Sequence, residues 1–266
     1  MAEALGFYNG IDDGRYGRLE MPAEEYFLRR TLETYGPRND DANIVEIGCG
    51  KGALSETHPG YVGIDLSYHA LKSQVKTNRA IQADAENLPL QDASVDFLFS
   101  FATLEHVPNP DKAIKEIERV MKPAAVALIH PAWFCRRWAA KALPIRAYGQ
   151  LSLRDKLEKL LLPLTEFLPF RLAIVMPKRI FREARFAFSS RPSDFDYVRL
   201  NPNLKEYVYT DSDAWTHMDS HSCLMYFYSR GWELLSAPTV FRRLTVRHEP
   251  VVVRKIPSSG VGAWRK

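Results

Sequence analysis

Ile44-Val45-Glu46-Ile47-Gly48-Cys49-Gly50-Lys51-Gly52 decides how the rest of the chain is read. A strand-forming run enters three alternating glycines. Because glycine lacks Cβ, such a turn can bend sharply from strand to helix and let a ligand approach bare backbone. The free N–H groups opening the next helix attract anionic groups. A glycine turn is a weak signal by itself, so its neighbours must decide what it holds.

Around this turn, apolar strand candidates at 43–47, 60–65, 79–83, 95–101 and 124–130 alternate with helix-compatible stretches near 51–57, 67–76 and 111–121. That is the pattern of βαβ units in a doubly wound α/β core, expected over 22–133. Residues 1–21, rich in Gly, Asp, Arg and Tyr, read as an irregular arm. Pro22, Glu24 and Glu25 open a helix that Gly36-Pro37 stops. From 134 to 211 the period turns helical, with Leu153, Leu157, Leu160, Leu161 and Leu164 on one face and Pro163, Pro169 and Pro177 breaking the run. This segment reads as an insertion capping the carboxyl edge of the sheet. Residues 212–256 should complete the core with a last helix over about 212–230, closed by Gly231, and strands near 232–238 and 241–254. Residues 257–266 read as a flexible tail.

With 266 residues, 46% of them hydrophobic, the chain can bury a full core. Cys49, Cys135 and Cys223 make neither a CxxC pair nor an even disulfide framework, which points to a reducing, cytoplasmic setting. Met1-Ala2-Glu3-Ala4-Leu5 lacks the features of a secretory signal, and no apolar stretch approaches bilayer-spanning length. The net charge of +4 hides an asymmetry, since Phe134 to Arg191 carries 13 Lys/Arg against 4 Asp/Glu. An anionic partner for the insertion, or simply a well-solvated basic face, would account for it. Leucine stripes beside Lys/Arg also suit peripheral membrane contact through 134–191, although most such stripes are core. Nucleic acid is disfavoured, because the aromatics lie within apolar segments instead of interleaving with the charges.

In an open parallel sheet, ligands bind outside the carboxyl ends of the strands. Gly48, Asp65, Asp84, Ser100 with Phe101, and His130 fall at those ends. Asp65 is placed to accept both hydroxyls of a ribose, or else to cap the helix from Ser67. Asp84 could bond the amino group of an adenine, or close an Asx turn. Gly48-x-Gly50-x-x-Ala53 also fits the looser nicotinamide-dinucleotide fingerprint. Asp65, however, lies only 13 residues after Gly52, and 124–266 offers no visible second mononucleotide half.

Glu46-Ile47-Gly48-Cys49-Gly50-Lys51-Gly52, Gly63-Ile64-Asp65-Leu66-Ser67, Ala83-Asp84-Ala85-Glu86-Asn87-Leu88-Pro89-Leu90, Ser94-Val95-Asp96-Phe97 and Leu104-Glu105-His106-Val107 follow one another in an order that resembles class I S-adenosylmethionine-dependent methyltransferases. The likeness covers about 42–131 well and the last two strands loosely. It implies a mostly parallel seven-stranded sheet with its last strand antiparallel, and S-adenosylmethionine as cofactor. Glu46, Gly48, Gly50 and Gly52 would line the methionine part, Asp65 with Leu66 the ribose, and Asp84 with Ala85 the adenine, with Ser100 and Phe101 at the fourth strand's end. Two departures stand out: Lys122-Pro123-Ala124-Ala125 replaces the usual Lys-Pro-Gly-Gly, and the first crossover helix after Gly52 is short.

Methyl transfer to a hydroxyl benefits from a general base, for which His106, His130, His217 and His221 are candidates. His106 could equally cap or pack, and His130 could simply end its strand. Asp213, His217 and His221 are spaced i, i+4, i+8 along the expected final helix, with Asp211 and Asp219 nearby. That face suits acceptor contact or base chemistry better than a metal, and a plain surface helix equally well; no metal is expected. Tyr209 to Asp219 is faintly similar to methyltransferases of bacterial surface polysaccharides. The reading is O-methylation of a sugar, glycan or lipid-linked hydroxyl on a small-molecule or glycan acceptor. The alternatives are C-methylation of a quinone-like aromatic and a cofactor-binding protein without turnover.

Overall fold

The glycine turn at 48–52 leads out of the middle of a seven-stranded sheet. The computed structural model describes residues 2–10, 20–72, 79–189, 191–204 and 211–257. Strands β1 (Ile44–Ile47), β2 (Tyr61–Asp65), β3 (Ala80–Gln82), β4 (Val95–Phe101) and β5 (Met121–His130) are mutually parallel. A small antiparallel pair, β6 (Tyr197–Arg199) and β7 (Thr216–Met218), stands apart. Then β8 (Glu233–Leu234) and β9 (Val251–Arg254) complete the order β3-β2-β1-β4-β5-β9-β8, with β9 antiparallel to both neighbours. This is the mostly parallel, doubly wound sheet expected. Strand order reverses between β1 and β4, which opens a crevice at their carboxyl ends.

The helices are α1 (Ala2–Gly10), α2 (Pro22–Tyr35), α3 (Tyr68–Lys72), α4 (Pro110–Val120), α5 (Arg137–Ala140), α6 (Leu153–Thr165), α7 (Leu168–Ser189), α8 (Ser220–Ser229) and α9 (Val240–Thr245). Alternation along the strands divides the core by face. Val45, Ile47, Leu98 and Ile129 pack with Ile114 and Ile117 of α4 and Leu224 and Phe227 of α8. Ile44, Phe97, Phe99 and Leu128 pack with Leu28 of α2 on the other face. Burying each such side chain stabilises the fold by about 1.5–3 kcal/mol, which is why both faces of a parallel sheet are covered.

Several local expectations are corrected. Residues 51–57 form successive turns, closed by Gly52 N to Cys49 O (2.8 Å) and Ser55 N to Gly52 O (3.1 Å), and not a helix. The final helix starts at Ser220 and not near 212, because Asp219 caps it by accepting from His221 N, while Thr216–Met218 pairs with Tyr197–Arg199. The strand expected from 241 is preceded by α9, capped by Thr239. Ala2–Gly10 is helical where an irregular arm was expected. Residues 11–19, 205–210 and 258–266, with parts of the arm, the polysaccharide-like segment and the tail, lie outside the described residues, as do 73–76 of the expected 67–76 helix.

The insertion carries the longest helices. Pro163 and Pro177 sit inside α6 and α7 without ending them, whereas Pro169 occupies the first turn of α7, where its missing N–H costs nothing. The break falls between Thr165 and Leu168, where the two axes bend by 88°. Among the described residues no single helix is long and apolar enough to cross a membrane. The leucine stripe is not core, since α6 contains no buried residue and Leu153 is 85% exposed. What fastens α7 is polar. Arg179 is buried and donates to Leu244 O (2.6 Å), Val246 O (2.7 Å) and Asp219 Oδ1 (2.6 Å).

The Lys122-Pro123-Ala124-Ala125 stretch, expected before the fifth strand, lies inside β5 and leaves a mark on its backbone. Ala124 stands at φ +66, donates its N–H to Lys255 O (2.7 Å), and lies where the β4–β5 register shifts. A left-handed alanine costs roughly 1–2 kcal/mol, while glycine would give back part of that gain in chain entropy. Ala124→Gly is therefore expected to raise stability by up to about 1 kcal/mol in urea denaturation, without changing cofactor affinity.

Candidate active site

The crevice at the switch point holds a cavity of about 380 Å³. Gly48, Gly50, Asp65, Leu66, Asp84, Ala85 and Phe101, all expected at the cofactor, line it. The turn follows from glycine's backbone freedom. Gly48 has φ +80, and a Cβ placed there would lie 1.9 Å from Thr103 Oγ1. Three N–H groups of the turn fold back on the end of β2: Gly48 N (2.7 Å) and Cys49 N (3.1 Å) donate to Ile64 O, and Gly50 N donates to Asp65 Oδ2 (2.8 Å). Asp65 Oδ1 accepts from Ser67 N (2.8 Å), so its capping role is realised. Each carboxylate oxygen has a second lone pair, so the same group can still accept ribose hydroxyls at the cavity wall.

Asp84 likewise closes an Asx turn, accepting from Glu86 N at 2.9 Å, and burial raises its pKa. Three expected contacts are corrected, since Glu46, Gly52 and Ser100 do not line the cavity. Ser100 Oγ donates to Ile47 O (2.9 Å), tying β4 to β1. Glu46 is buried beneath the turn and accepts a short hydrogen bond from Tyr61 OH. Burial pushes its carboxyl up to about 8, against the opposing effect of that bond. Gly52, with φ +73, shapes the turn from outside the cavity lining.

The opposite wall is acidic. Directly after β4, a 3₁₀ turn (Leu104–His106) brings in Glu105 and His106, and the approach to β7 brings in Asp211 and Asp213. Glu105 is fully buried; Oε1 accepts from Ala132 N (2.9 Å), and Oε2 has no hydrogen-bond partner. His106 Nδ1 lies 3.2 Å from Asp213 Oδ2, in an oblique contact better described as an ion pair than as a hydrogen bond. Tyr8 of α1 donates to the same oxygen (3.0 Å). Burial alone would depress the His106 pKa, but Asp213, with Glu105 and Asp211, lifts it to about 10. The imidazole is thus charged at neutral pH and cannot serve there as a free base.

The other three histidines are not gathered at the cavity. His130 Nε2 contacts His248 O (2.6 Å), and its ring packs edge-on against Phe101. His217 Nδ1 contacts Cys135 O (2.7 Å) and lines a second cavity under the insertion. His221 is fully buried between Glu183 (3.2 Å) and Arg182 (3.3 Å). Asp213, His217 and His221 do not share a helix face, because a strand and a cap intervene. Sequence reasoning missed Tyr8, which lies in a segment without periodicity. It also missed Glu105, whose signal was a lone carboxylate among apolar neighbours.

The walls fit an adenosyl cofactor bearing a positive sulfur: a bare-backbone cradle, a buried carboxylate for ribose, apolar Ala85 and Phe101, and carboxylates opposite. Two variants test this account of the walls. Gly48→Ala, forced into a left-handed φ against Thr103, should cost about 1–3 kcal/mol and weaken binding of S-adenosylhomocysteine by calorimetry. For Glu46, a folded-state pKa above the ordinary carboxylate value adds stability that is complete below about pH 4.5 and lost as pH rises through 8, at up to about 1.4 kcal/mol per unit. Urea denaturation of Glu46→Gln at pH 5 and pH 8.5 should show the variant gaining on the parent chain as pH rises.

Residues 45–129 match the family model described as "Methyltransferase domain". A Mycobacterium tuberculosis protein named "Probable S-adenosylmethionine-dependent methyltransferase" is 26% identical over 120 residues, covering 41% of this chain and 44% of its own length. The malonyl-[acyl-carrier protein] O-methyltransferase of Pectobacterium atrosepticum is 27% identical over 133 residues, or 47% and 50%. The chain therefore spans half or less of the length of these relatives. A solved S-adenosylmethionine-dependent methyltransferase from Aquifex aeolicus aligns with a TM-score of 0.37 at 23% identity, covering 44% of this chain and 71% of that one. Residues 45–129 thus carry a methyltransferase domain, the sheet order around them is that of the class I S-adenosylmethionine-dependent fold, and S-adenosylmethionine is the cofactor this match gives.

Proposed function

We propose that the chain methylates a hydroxyl oxygen on an acceptor that is anionic or lipid-carried, a sugar or glycan being the class that unites these features. The observation carrying this reading is the acidic wall facing the glycine turn across one cavity. The bound cofactor supplies a methyl group already activated on a sulfonium sulfur. The protein's part is to place the acceptor oxygen in line and keep water out. The glycine turn and Asp65 would hold the cofactor as it gives its methyl group to the acceptor oxygen and keeps the electron pair on sulfur, and the hydroxyl proton would pass to a wall carboxylate. Asp213 Oδ1, buried and without a hydrogen-bond partner, is suited to receive it.

The second cavity, about 730 Å³, supports the rest of the reading. Leu157, Leu161, Phe170 and Ile174 give it an apolar lining, and Arg137 and Arg154, neither of them in an ion pair among the described residues, stand at its wall. Cys135, Leu200 and Ala214 pack together, and Leu200 lines the second cavity. A hydroxyl at the acidic wall, with a phosphate and hydrocarbon under the insertion, matches both polarities. Phe181 and Phe188, 68% and 92% exposed on basic α7, support contact with an anionic lipid surface. The same apolar lining favours C-methylation of a quinone-like ring as the second reading.

Calorimetric titration should show binding of S-adenosylmethionine and S-adenosylhomocysteine but not NADH, weakened at least tenfold in Asp65→Ala. Labelled methyl should then appear as an O-methyl ether on a polyprenyl-phosphate-linked sugar. Transfer to a hydroquinone carbon would install the second reading, and NADH binding without sulfonium binding would overturn both.

A further inference from the structure

The acidic wall carries more negative charge than an acceptor hydroxyl needs. Glu105, His106 and Asp211 each offer one ligand atom, all within 4.8 Å of one another. Of the fully buried Glu105 carboxylate, Oε1 faces His106 Nε2 and accepts from Ala132 N, while Oε2 has no hydrogen-bond partner. A buried carboxylate oxygen left unpaired in the protein alone is costly unless a further group completes it.

The geometry of His106 points the same way. Its Nδ1 faces Asp213 Oδ2 at 3.2 Å, and that oxygen is held by the Tyr8 hydroxyl. Its Nε2 stands 3.8 Å from Glu105 Oε1, too far for a hydrogen bond. Imidazoles that ligate metals commonly present one nitrogen to the ion and the other to a carboxylate. Ligand atoms each about 2.1 Å from a shared tetrahedral ion stand about 3.4 Å apart, so the 3.8 Å gap must close by about 0.4 Å and the widest separation by up to about 1.4 Å. Asp211 has φ +64, a left-handed backbone that turns its side chain in from the approach to β7, and one that aspartate and asparagine tolerate.

We propose that Glu105, His106 and Asp211 form a divalent transition-metal site at the acceptor wall, with Asp213 and Tyr8 orienting the His106 ring and the proton on His106 Nε2 released to solvent as the ion binds. A mixed imidazole and carboxylate set favours Mn2+ or Zn2+ over Mg2+. The ion would hold the acceptor's hydroxyl oxygen beside the cofactor and leave Asp213 Oδ1 for its proton. Cation binding itself requires neither the cofactor nor any particular acceptor, so it stands or falls separately from the acceptor reading.

The test is calorimetric titration of the metal-stripped full chain with Mn2+, Zn2+ and Mg2+, without cofactor. One Mn2+ or Zn2+ per chain is expected, bound at least tenfold tighter than Mg2+. Asp211→Asn, which keeps the left-handed backbone, should weaken it at least tenfold, and Glu105→Gln by more. Mn2+ should also broaden the His106 ring signals in NMR while sparing those of His58 and His69. If Glu105→Gln fails to fold, Asp211→Asn and the His106 broadening decide the matter. Failure of Mn2+ and Zn2+ to bind, binding indifferent to Asp211→Asn, or broadening that spares His106 would overturn the site.

Discussion

The cavity depends on how the end of β2 holds the glycine turn. A strand running into a glycine loop ordinarily hands its N–H groups to a helix, but residues 51–57 make none. Ile64 O and Asp65 Oδ2 instead take the N–H groups of Gly48, Cys49 and Gly50. The buried Asp65 carboxylate reaches in the other direction to Ser67 N and so binds the turn to the start of α3. The cradle is thus fixed from the neighbouring strand. A carboxylate read as a ligand group turns out also to be the structural clasp of its own site.

Charge is partitioned along the same lines. Around the cavity, carboxylates outnumber cations so far that His106, partly screened from water, is held protonated. A positively charged sulfur is favoured in that field and a phosphate is not. Under the insertion the balance inverts, with Arg136, Arg137, Arg154, Arg171 and Arg199 all lining the second cavity. The modest net charge of the chain conceals this opposition between the two cavities. Any acceptor that reaches both must itself be polarised along its length.

The strands of the core were legible because burial on both faces leaves only apolar runs, and each run ended at a residue whose chemistry could be named. Gly48, Asp65 and Asp84 stand where that reading placed them. It failed where tertiary context outweighed local pattern. Asp211 to Asp219 has the spacing of a helix face, yet the pairing of Thr216–Met218 with Tyr197–Arg199 and the cap at Asp219 postpone the helix to Ser220. Glu46 belongs to the glycine motif in sequence, but strand alternation turns it to the face where Tyr61 lies, away from the cavity. Tyr8 and Asp213, 205 residues apart, meet over His106 through long-range folding, which no local pattern announces.

The insertion inverts the usual relation between apolar faces and cores. A leucine face as broad as that of α6 could dock onto the sheet and become interior, yet Leu153, Leu160 and Leu164 stay more than half exposed. The single buried residue of α7 is an arginine. Arg179 and Arg182 meet Asp219, while Arg243 and His221 meet Glu183; burial would raise the Glu183 pKa, but Arg243 and His221 draw it down to about 2. Desolvating such a network is expensive, and apolar residues would hold helices together at least as well. Polar anchoring does, however, leave the leucines unspent: the segment is held to the core by charge and keeps its hydrocarbon surface for the second cavity and the outside.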